Sequence, residues 1–218
     1  MTRRRTIIAH HLILTGYGHW LANDLRGSGS FAFYDEKFAP LGPIHHGRKP
    51  AHMQPTRQQL RAFYQQADDL LNFPCIWFTD AMRCTLGRAV GEVIAAEGYT
   101  CYAFAAMANH LHLAIRRHRD DAAAMLSKIT EHTASQMRLL PEFGPHHPVW
   151  ANRPYKVFVY TPDDVRTRIG YIEENPEKES LPPQHWPFVT AYDNWPLHKA
   201  RGREDASVHG ETRTDRVS

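Results

Sequence analysis

Apolar residues along this chain follow two different spacings, which predict strands and helices. Short runs rich in β-branched and aromatic residues predict strands, because such side chains fit a pleated, half-buried surface. Longer segments with apolar residues every three or four positions predict helices, since this spacing gives one apolar face at 3.6 residues per turn. Strands are predicted at residues 6–15, 99–107, 110–116 and 153–160, and helices at residues 56–71, 79–97, 121–140 and 162–175.

The predicted helices begin and end at residues that favour helix termini. Thr79 caps the second helix, and Gly98 stops it. Thr161 opens the last helix, where Pro162 occupies the first position. Pro176 is predicted to end that helix, because proline lacks the N–H that continues the hydrogen-bond ladder.

The order strand, helix, strand, strand, helix, strand is typical of a ferredoxin-like, or RRM-like, α+β fold. It predicts an antiparallel sheet with a central first strand and two helices on one face, which leaves the other face available for a ligand. Residues 1–196 are expected to form one domain, in which residues 17–78 are an insertion rich in glycine, proline, histidine and aromatic residues. The polar tail 197–218 is expected to be disordered.

Composition narrows the class of protein. With 218 residues and 42% hydrophobic side chains, the chain is long and apolar enough for a sizeable core. A net charge of +3 and a pI near 8.8 permit a polyanionic partner without requiring one. The three cysteines form no Cys-x-x-Cys pair, and no apolar run approaches the roughly 18 residues of a membrane span. We therefore expect a cytoplasmic protein without a disulfide framework.

The stretch "AAMANHLHLAI" places two histidines one residue apart in an otherwise apolar run. Alternate side chains of a strand share a face, so Leu111 and Leu113 face the helices while His110 and His112 face the open side. Two imidazoles on one face can hold a divalent ion, although exposed or packed histidines would give the same pattern. Adjacent histidine pairs at residues 10–11, 45–46 and 146–147 point to opposite faces of a strand, so we assign them loop or packing roles.

The last predicted helix offers a partner for these histidines. Apolar residues at i, i+4 and i+7 form its buried stripe, and Arg168, Tyr171 and Asn175 project together along one flank. If the helix crosses the open side of the sheet, Asn175 can supply an amide oxygen as a third metal ligand, and Tyr171 can face the metal. An ordinary amphipathic helix would carry the same pattern, so the coincidence of the two motifs is what favours a site.

The segment "MANHLHL", followed about 60 residues later by "YIEENP", resembles the single-tyrosine HUH transposases of small bacterial insertion sequences, and especially the REP-associated tyrosine transposases. That family carries a Met-Pro-Asn-His-hydrophobe-His strand and a Tyr-Ile-x-x-Asn-Pro helix. The flanks "HPVWANRPYKVFVYTPDDV" and "QHWPFVTAYDNWP" extend the resemblance to roughly residues 6–195. Ala108 stands where the family usually has proline, and Asn175 stands where some members have glutamine.

The resemblance implies cleavage and rejoining of single-stranded DNA in DNA transposition, with hairpin-forming DNA as the partner. It implies a catalytic tyrosine helix on which Tyr171 attacks the scissile phosphate and forms a 5′-phosphotyrosine. His110, His112 and Asn175 would hold Mg²⁺ or Mn²⁺ against a non-bridging phosphate oxygen. Relatives occur as monomers and as homodimers, so either state is expected.

Basic and aromatic side chains near these motifs are candidate DNA contacts. Trp150, Tyr155 and Trp186 could stack on unpaired bases, although burial in the core is the more common role for aromatic residues. Cationic side chains could contact phosphates, although solvated surface charges give the same pattern. The candidate cations are Arg116, Arg117, Arg119, Arg153, Lys156 and Arg168.

Two other functions fit the same residues. One is a protein that binds DNA hairpins without catalysis, as expected of a domesticated transposase. The other is a metal-dependent phosphodiesterase in which the histidines activate water and Tyr171 is structural. A covalent protein–DNA adduct distinguishes the transposase from both, because neither alternative forms one.

Overall fold

The computed structural model of the protein describes residues 5–27, 36–152 and 154–196. The predicted tail 197–218 and Arg153 lie outside these ranges. No helix within them is long and apolar enough to cross a membrane. The strands and α-helices, in chain order, are β1 (Ala9–Thr15), α1 (Arg57–Asp68), α2 (Asp80–Glu97), β2 (Cys101–Ala106), β3 (His110–Arg116), α3 (Ala122–Met137), β4 (Tyr155–Val159) and α4 (Pro162–Lys178).

The four strands form one antiparallel sheet in the order β2-β3-β1-β4. The predicted α+β, ferredoxin-like architecture and the central position of the first strand are confirmed. Strands β2 and β3 are joined by a two-residue turn at Ala108 and Asn109, across which Met107 N donates a hydrogen bond to His110 O at 2.8 Å. This tight hairpin fixes the start of the strand that carries the paired histidines.

One face of the sheet forms the main core against α2 and α3. Leu12 of β1 and Leu111 and Leu113 of β3 are 0% exposed and pack with apolar residues of both helices. Burying one leucine side chain contributes about 2 kcal/mol. Burial therefore strongly favours the strand orientation in which these leucines face α2 and α3. A slip of one residue would put the leucines on the opposite face and His110 and His112 in this core.

Helix α4 packs on the opposite face of the sheet, against β2 and β3. Val165 and Ile172 of α4 are buried in one cluster with Ala103, Ala105 and Ala114 of the sheet. Small side chains on the strands leave room for the helix to lie close to the sheet. The last helix therefore crosses the face that carries the histidines, as the metal-site hypothesis requires.

The predicted helix caps are confirmed, with one exception. Thr79 caps α2 through its side chain, Gly98 ends it with φ 67°, and Thr161 caps α4. Pro176 does not end α4, which continues through the proline to Lys178. Proline has no N–H to donate, but its backbone φ is compatible with a helix. The N–H groups of later residues still donate to carbonyls one turn earlier. The prediction that α4 ends at the proline is therefore wrong by about one turn.

The two edge strands of the sheet, β2 and β4, have different surroundings. Gln184 covers the outer edge of β2, since its side chain accepts a hydrogen bond from Ala106 N at 2.9 Å and donates one to Ala106 O at 2.8 Å. Further along the same segment, Thr190 N donates to Cys101 O at 2.8 Å. Strand β4 forms the other edge, and no strand in the described ranges pairs with its outer side.

Candidate metal and nucleophile site

His110 and His112 lie side by side on the α4 face of β3. Their Nε2 atoms are 2.9 Å apart, and their ring planes meet at 84°. Two ligands at right angles on a metal ion with bonds of about 2.1 Å lie about 3 Å apart. The separation of the two nitrogens therefore suits adjacent coordination positions on one divalent cation.

A third histidine, His11 of β1, extends this pair. Its Nε2 is 2.9 Å from Nδ1 of His112, and its side chain is 1% exposed. Ile13 is the residue of β1 that lies opposite His112 in the sheet, so His11 is its diagonal neighbour on the same face. Nδ1 of His11 is buried and has no hydrogen-bond partner among the described residues. The site thus contains a row of three imidazoles.

Burial keeps these imidazoles neutral at pH 7. It lowers the pKa of His110 to about 4, assisted by a histidine and an arginine of the insertion. Burial and the two neighbouring histidines lower the pKa of His112 to about 2. Burial and the positive charge of Arg168 lower the pKa of His11 to about 4. Because the neutral imidazole is the form that binds metal ions, the site is ready to bind at neutral pH.

Tyr171 of α4 stands beside the histidine row. Its ring centroid is 5.6 Å from that of His112 and 5.9 Å from that of His11, and both contacts are edge to face. The residue remains 39% exposed, so a substrate in solvent can reach it. Lys178, two turns further along α4, places its Nζ 5.6 Å from the same ring. The structure thus brings the predicted nucleophile and the predicted histidine ligands together.

Asn175 follows Tyr171 by one turn of α4 and is 8% exposed. Within residues 5–27, 36–152 and 154–196, no three His, Cys, Asp or Glu side chains converge on a possible metal position. His110 and His112 are thus a pair of candidate ligands, and the Asn175 amide, one turn after Tyr171 on α4, is the candidate oxygen ligand. Such a set leaves positions for phosphate oxygens and water, which suits Mn²⁺, or Mg²⁺ when substrate oxygens complete its shell.

Two of the candidate DNA-contacting cations lie on different faces of the sheet. Arg168 is on α4, close enough to His11 for its charge to lower the pKa of that histidine. Lys156 is the β4 residue opposite Leu12, and opposed residues of a sheet share a face. Lys156 therefore lies on the α2 and α3 side, away from the histidines, and Arg168 is the cation that the fold brings to the site.

The other described candidates lie at the far end of β3. Arg116 pairs with Asp193 at 3.2 Å, and its guanidinium carbon lies 4.2 Å from the centroid of the Trp195 ring. Arg117 and Arg119 follow it on the surface and are exposed. Arg116 is the sixth residue after His110 along β3, a distance of about 20 Å. These cations could contact DNA only beyond the immediate site.

The three candidate stacking aromatics have different environments. Trp150 is 5% exposed and donates its Nε1 hydrogen to Thr133 Oγ1 at 3.0 Å. Trp186 lies against Gly87 of α2, where an added Cβ would be 1.9 Å from the indole ring. Tyr155 is 60% exposed on β4. The two tryptophans therefore pack in the protein, and Tyr155 is the candidate whose ring is free to meet a base.

Three residues beside the predicted ligands were not predicted to belong to the site: His11, Asn109 and His19. Residues 10–11 were assigned loop or packing roles. Because Leu12 faces the core, alternation along β1 instead places His11 on the open face. Asn109 contacts His110, with Oδ1 2.7 Å from Nδ1. His19 in turn places Nδ1 3.3 Å from Asn109 Nδ2. No spacing signal identifies His19, because its position depends on the path of the insertion.

Comparison with protein-family models and with curated proteins finds no match. Two solved structures resemble this chain distantly. One is a REP-associated tyrosine transposase bound to a REP hairpin, with 13% identity and a TM-score of 0.45, covering 86% of this chain and 79% of that chain. Another is a candidate transposase from Deinococcus radiodurans R1, with 14% identity and a TM-score of 0.35, covering 80% and 97%. Neither likeness is by itself evidence for the function of this chain.

Proposed function

We propose that this protein is a metal-dependent transposase that cleaves and rejoins single-stranded, hairpin-forming DNA in the bacterial cytoplasm. One arrangement supports the proposal: the exposed Tyr171 lies beside buried neutral histidines whose Nε2 atoms are 2.9 Å apart. A nucleophile adjacent to a cation site is the arrangement that phosphoryl transfer to a side chain needs. The resemblance of the two motifs to single-tyrosine HUH transposases agrees with this reading.

The proposed reaction is a transesterification. The Tyr171 oxygen forms a bond to phosphorus while the bond between phosphorus and the 3′ oxygen breaks. The phenol loses its proton to a base or to water, and the 3′ oxygen takes up a proton and leaves as a hydroxyl. Because the phosphodiester energy is kept in the phosphotyrosine, a 3′-hydroxyl can reverse the step and rejoin the strand.

The side chains around Tyr171 have distinct parts in this scheme. A divalent cation bound at His110, His112 and Asn175 would supply a positive charge to the phosphate. A histidine that binds metal through Nε2 carries its proton on Nδ1, and a neighbouring acceptor holds that tautomer. Nε2 of His11 lies 2.9 Å from Nδ1 of His112 and can accept this hydrogen bond. With the cation bound, His11 would thereby orient His112.

The test is capture of the covalent intermediate. A single-stranded oligonucleotide with a hairpin is incubated with the protein and Mn²⁺ and then resolved under denaturing conditions. Wild-type protein is expected to give a band that contains both protein and DNA, and Tyr171→Phe is expected to give none. Tyr160→Phe is a matched control, because Tyr160 is 36% exposed, lies two residues before α4 and is not among the described rings that contact the site histidines. The Tyr160→Phe protein should still form the covalent adduct.

The same assay separates the two alternative functions. Cleavage that continues in Tyr171→Phe without any adduct would indicate a phosphodiesterase that uses water. Tight binding of the hairpin by wild-type protein without cleavage would indicate a binding protein. Either result refutes the proposal for Tyr171.

A further inference from the structure

The turn that precedes the histidine strand is held by both ends of the insertion 17–78. Gly16, just before the insertion, donates its N–H to Asn109 O at 2.8 Å, and Phe78 at its end donates its N–H to Ala108 O at 2.7 Å. An added Cβ on Gly16 would lie 3.1 Å from Asn109 O, so the two backbones are in close contact. The insertion is therefore joined to the two residues that directly precede His110.

A continuous line of polar contacts runs from the insertion to His110. His19 Nε2 is 2.6 Å from the carbonyl oxygen of Ile76, and His19 Nδ1 is 3.3 Å from Asn109 Nδ2. Asn109 Oδ1 is then 2.7 Å from His110 Nδ1. His19 is 2% and Asn109 8% exposed, so water has little access to these groups. Each of these polar groups therefore needs a hydrogen-bond partner within the protein.

The direction of each hydrogen bond in this line follows from the contact between His19 and the carbonyl oxygen of Ile76. A carbonyl oxygen only accepts, so His19 Nε2 carries a proton and donates it to Ile76 O. Burial lowers the pKa of His19 to about 4, so its ring is neutral at pH 7 and Nδ1 is an acceptor. Asn109 must then donate through Nδ2, which turns Oδ1 towards His110. His110 Nδ1 is consequently the protonated nitrogen, and its Nε2 carries a lone pair, which in the metal-free protein accepts a hydrogen bond from Nε2–H of His112 at 2.9 Å.

The thiol of Cys75 does not change this assignment. Its Sγ lies 3.3 Å from His19 Nε2. A thiol is a weaker acceptor than a carbonyl, and Ile76 O is closer. Burial and Asp68 raise the pKa of Cys75 to about 12, so the sulfur carries no charge that would compete for the proton.

We propose that His19 is a positioning residue that acts through Asn109 to hold His110 as the Nδ1–H tautomer, with the Nε2 lone pair facing the metal position. This gives the insertion a role in preparing the site. The metal part of the inference rests on the proposed function, whereas the tautomer is a property of the metal-free protein. Partners of this kind change metal affinity by about 10- to 100-fold when removed.

The tautomer is tested directly by long-range ¹H–¹⁵N NMR of the imidazoles in metal-free protein at pH 7. His110 is expected to be protonated at Nδ1. In His19→Phe, which keeps a ring but removes both nitrogens, His110 should become a mixture of tautomers. Predominant Nε2–H in the wild type, or an unchanged tautomer in His19→Phe, would overturn the proposal. The wild-type spectrum decides the question even if the variant does not fold.

His147→Phe is the matched control for loosening the insertion. His147 is also buried, and its Nε2 lies 3.3 Å from the carbonyl oxygen of Pro74, two residues before Ile76, but it lies outside the line to His110. Mn²⁺ affinity, measured by calorimetry, should fall at least about tenfold in His19→Phe and stay unchanged in His147→Phe. An equal loss in both variants would reduce the role of His19 to anchoring. If wild-type protein binds no Mn²⁺ but shows the expected tautomers, the positioning role stands and the metal-dependent function fails.

Discussion

Mild acid should destabilise this protein strongly, because its histidine cluster is buried in the neutral form. An unfolded histidine has a pKa near 6.5, whereas burial lowers the pKa of His11, His19 and His110 to about 4 and that of His112 to about 2. Between these values the unfolded chain binds more protons than the folded chain. Linkage then makes the unfolding free energy fall as the pH falls, so the stability is complete above pH 6.5 and is lost towards pH 4 and below.

The size of the effect follows from the same values. Each unit of pKa shift corresponds to about 1.4 kcal/mol, so a histidine shifted from 6.5 to 4 loses about 2 kcal/mol of its contribution between pH 7 and pH 5. Four such residues together lose about 8 kcal/mol, which is comparable with the whole stability of a typical domain, about 5 to 15 kcal/mol. Carboxylates mostly titrate below this window, so the loss above pH 5 reports the histidines.

Urea unfolding at pH 7, 6 and 5, followed by circular dichroism, measures this loss. His11→Phe removes one of the neutral imidazoles and should make the pH dependence shallower by up to about 1.4 kcal/mol per pH unit. His52→Gln, at an exposed position, is the control and should keep the wild-type slope. An unfolding free energy that stays constant from pH 7 to pH 5 would refute the reasoning, as would a slope that His11→Phe leaves unchanged.

Two further predictions concern the site and the packing around it. His112→Ala should abolish Mn²⁺ binding and DNA cleavage while hairpin binding in a gel-shift assay is retained, and unchanged cleavage would contradict the metal site. Gly87→Ala should destabilise the fold by about 1 to 2 kcal/mol in thermal unfolding, because the Cβ would overlap Trp186 and overpacking outweighs the helix propensity of alanine. Gly170→Ala is the counterpart in α4, where nothing lies within 4 Å of the added Cβ, and should raise the stability by up to about 1 kcal/mol. The same sign for both glycine variants would show that packing against the indole is unimportant.

The order of elements was predictable because each was specified locally. Thr79 and Gly98 mark the ends of α2 by their cap chemistry, and alternation of leucine and histidine in β3 defines its two faces without knowledge of the neighbouring strands. Pro176 shows the limit of such local rules. Proline disfavours a helix interior, but the packing of α4 on the sheet outweighs the loss of one hydrogen bond near the end of the helix.

The site was predictable only in part because its members belong to different strands. His110 and His112 share a strand, so their proximity follows from a period of two. His11 meets His112 only through the register of β1 against β3, which no single segment specifies. The position of His19 depends on the path of residues 17–78 beside the turn at Asn109. Spacing along a chain identifies ligands within one element, and the supporting side chains come from elsewhere.

The covered edge of β2 also limits how this protein can assemble. A strand edge with free N–H and C=O groups is a template for another chain, and sheets with two such edges can add copies without end. Here Gln184 and Thr190 bond to the edge of β2, and within residues 5–27, 36–152 and 154–196 no strand pairs with the outer side of β4. Two copies joined edge to edge through β4 would leave no further free edge. By this route the sheet would grow to a pair of copies and no further.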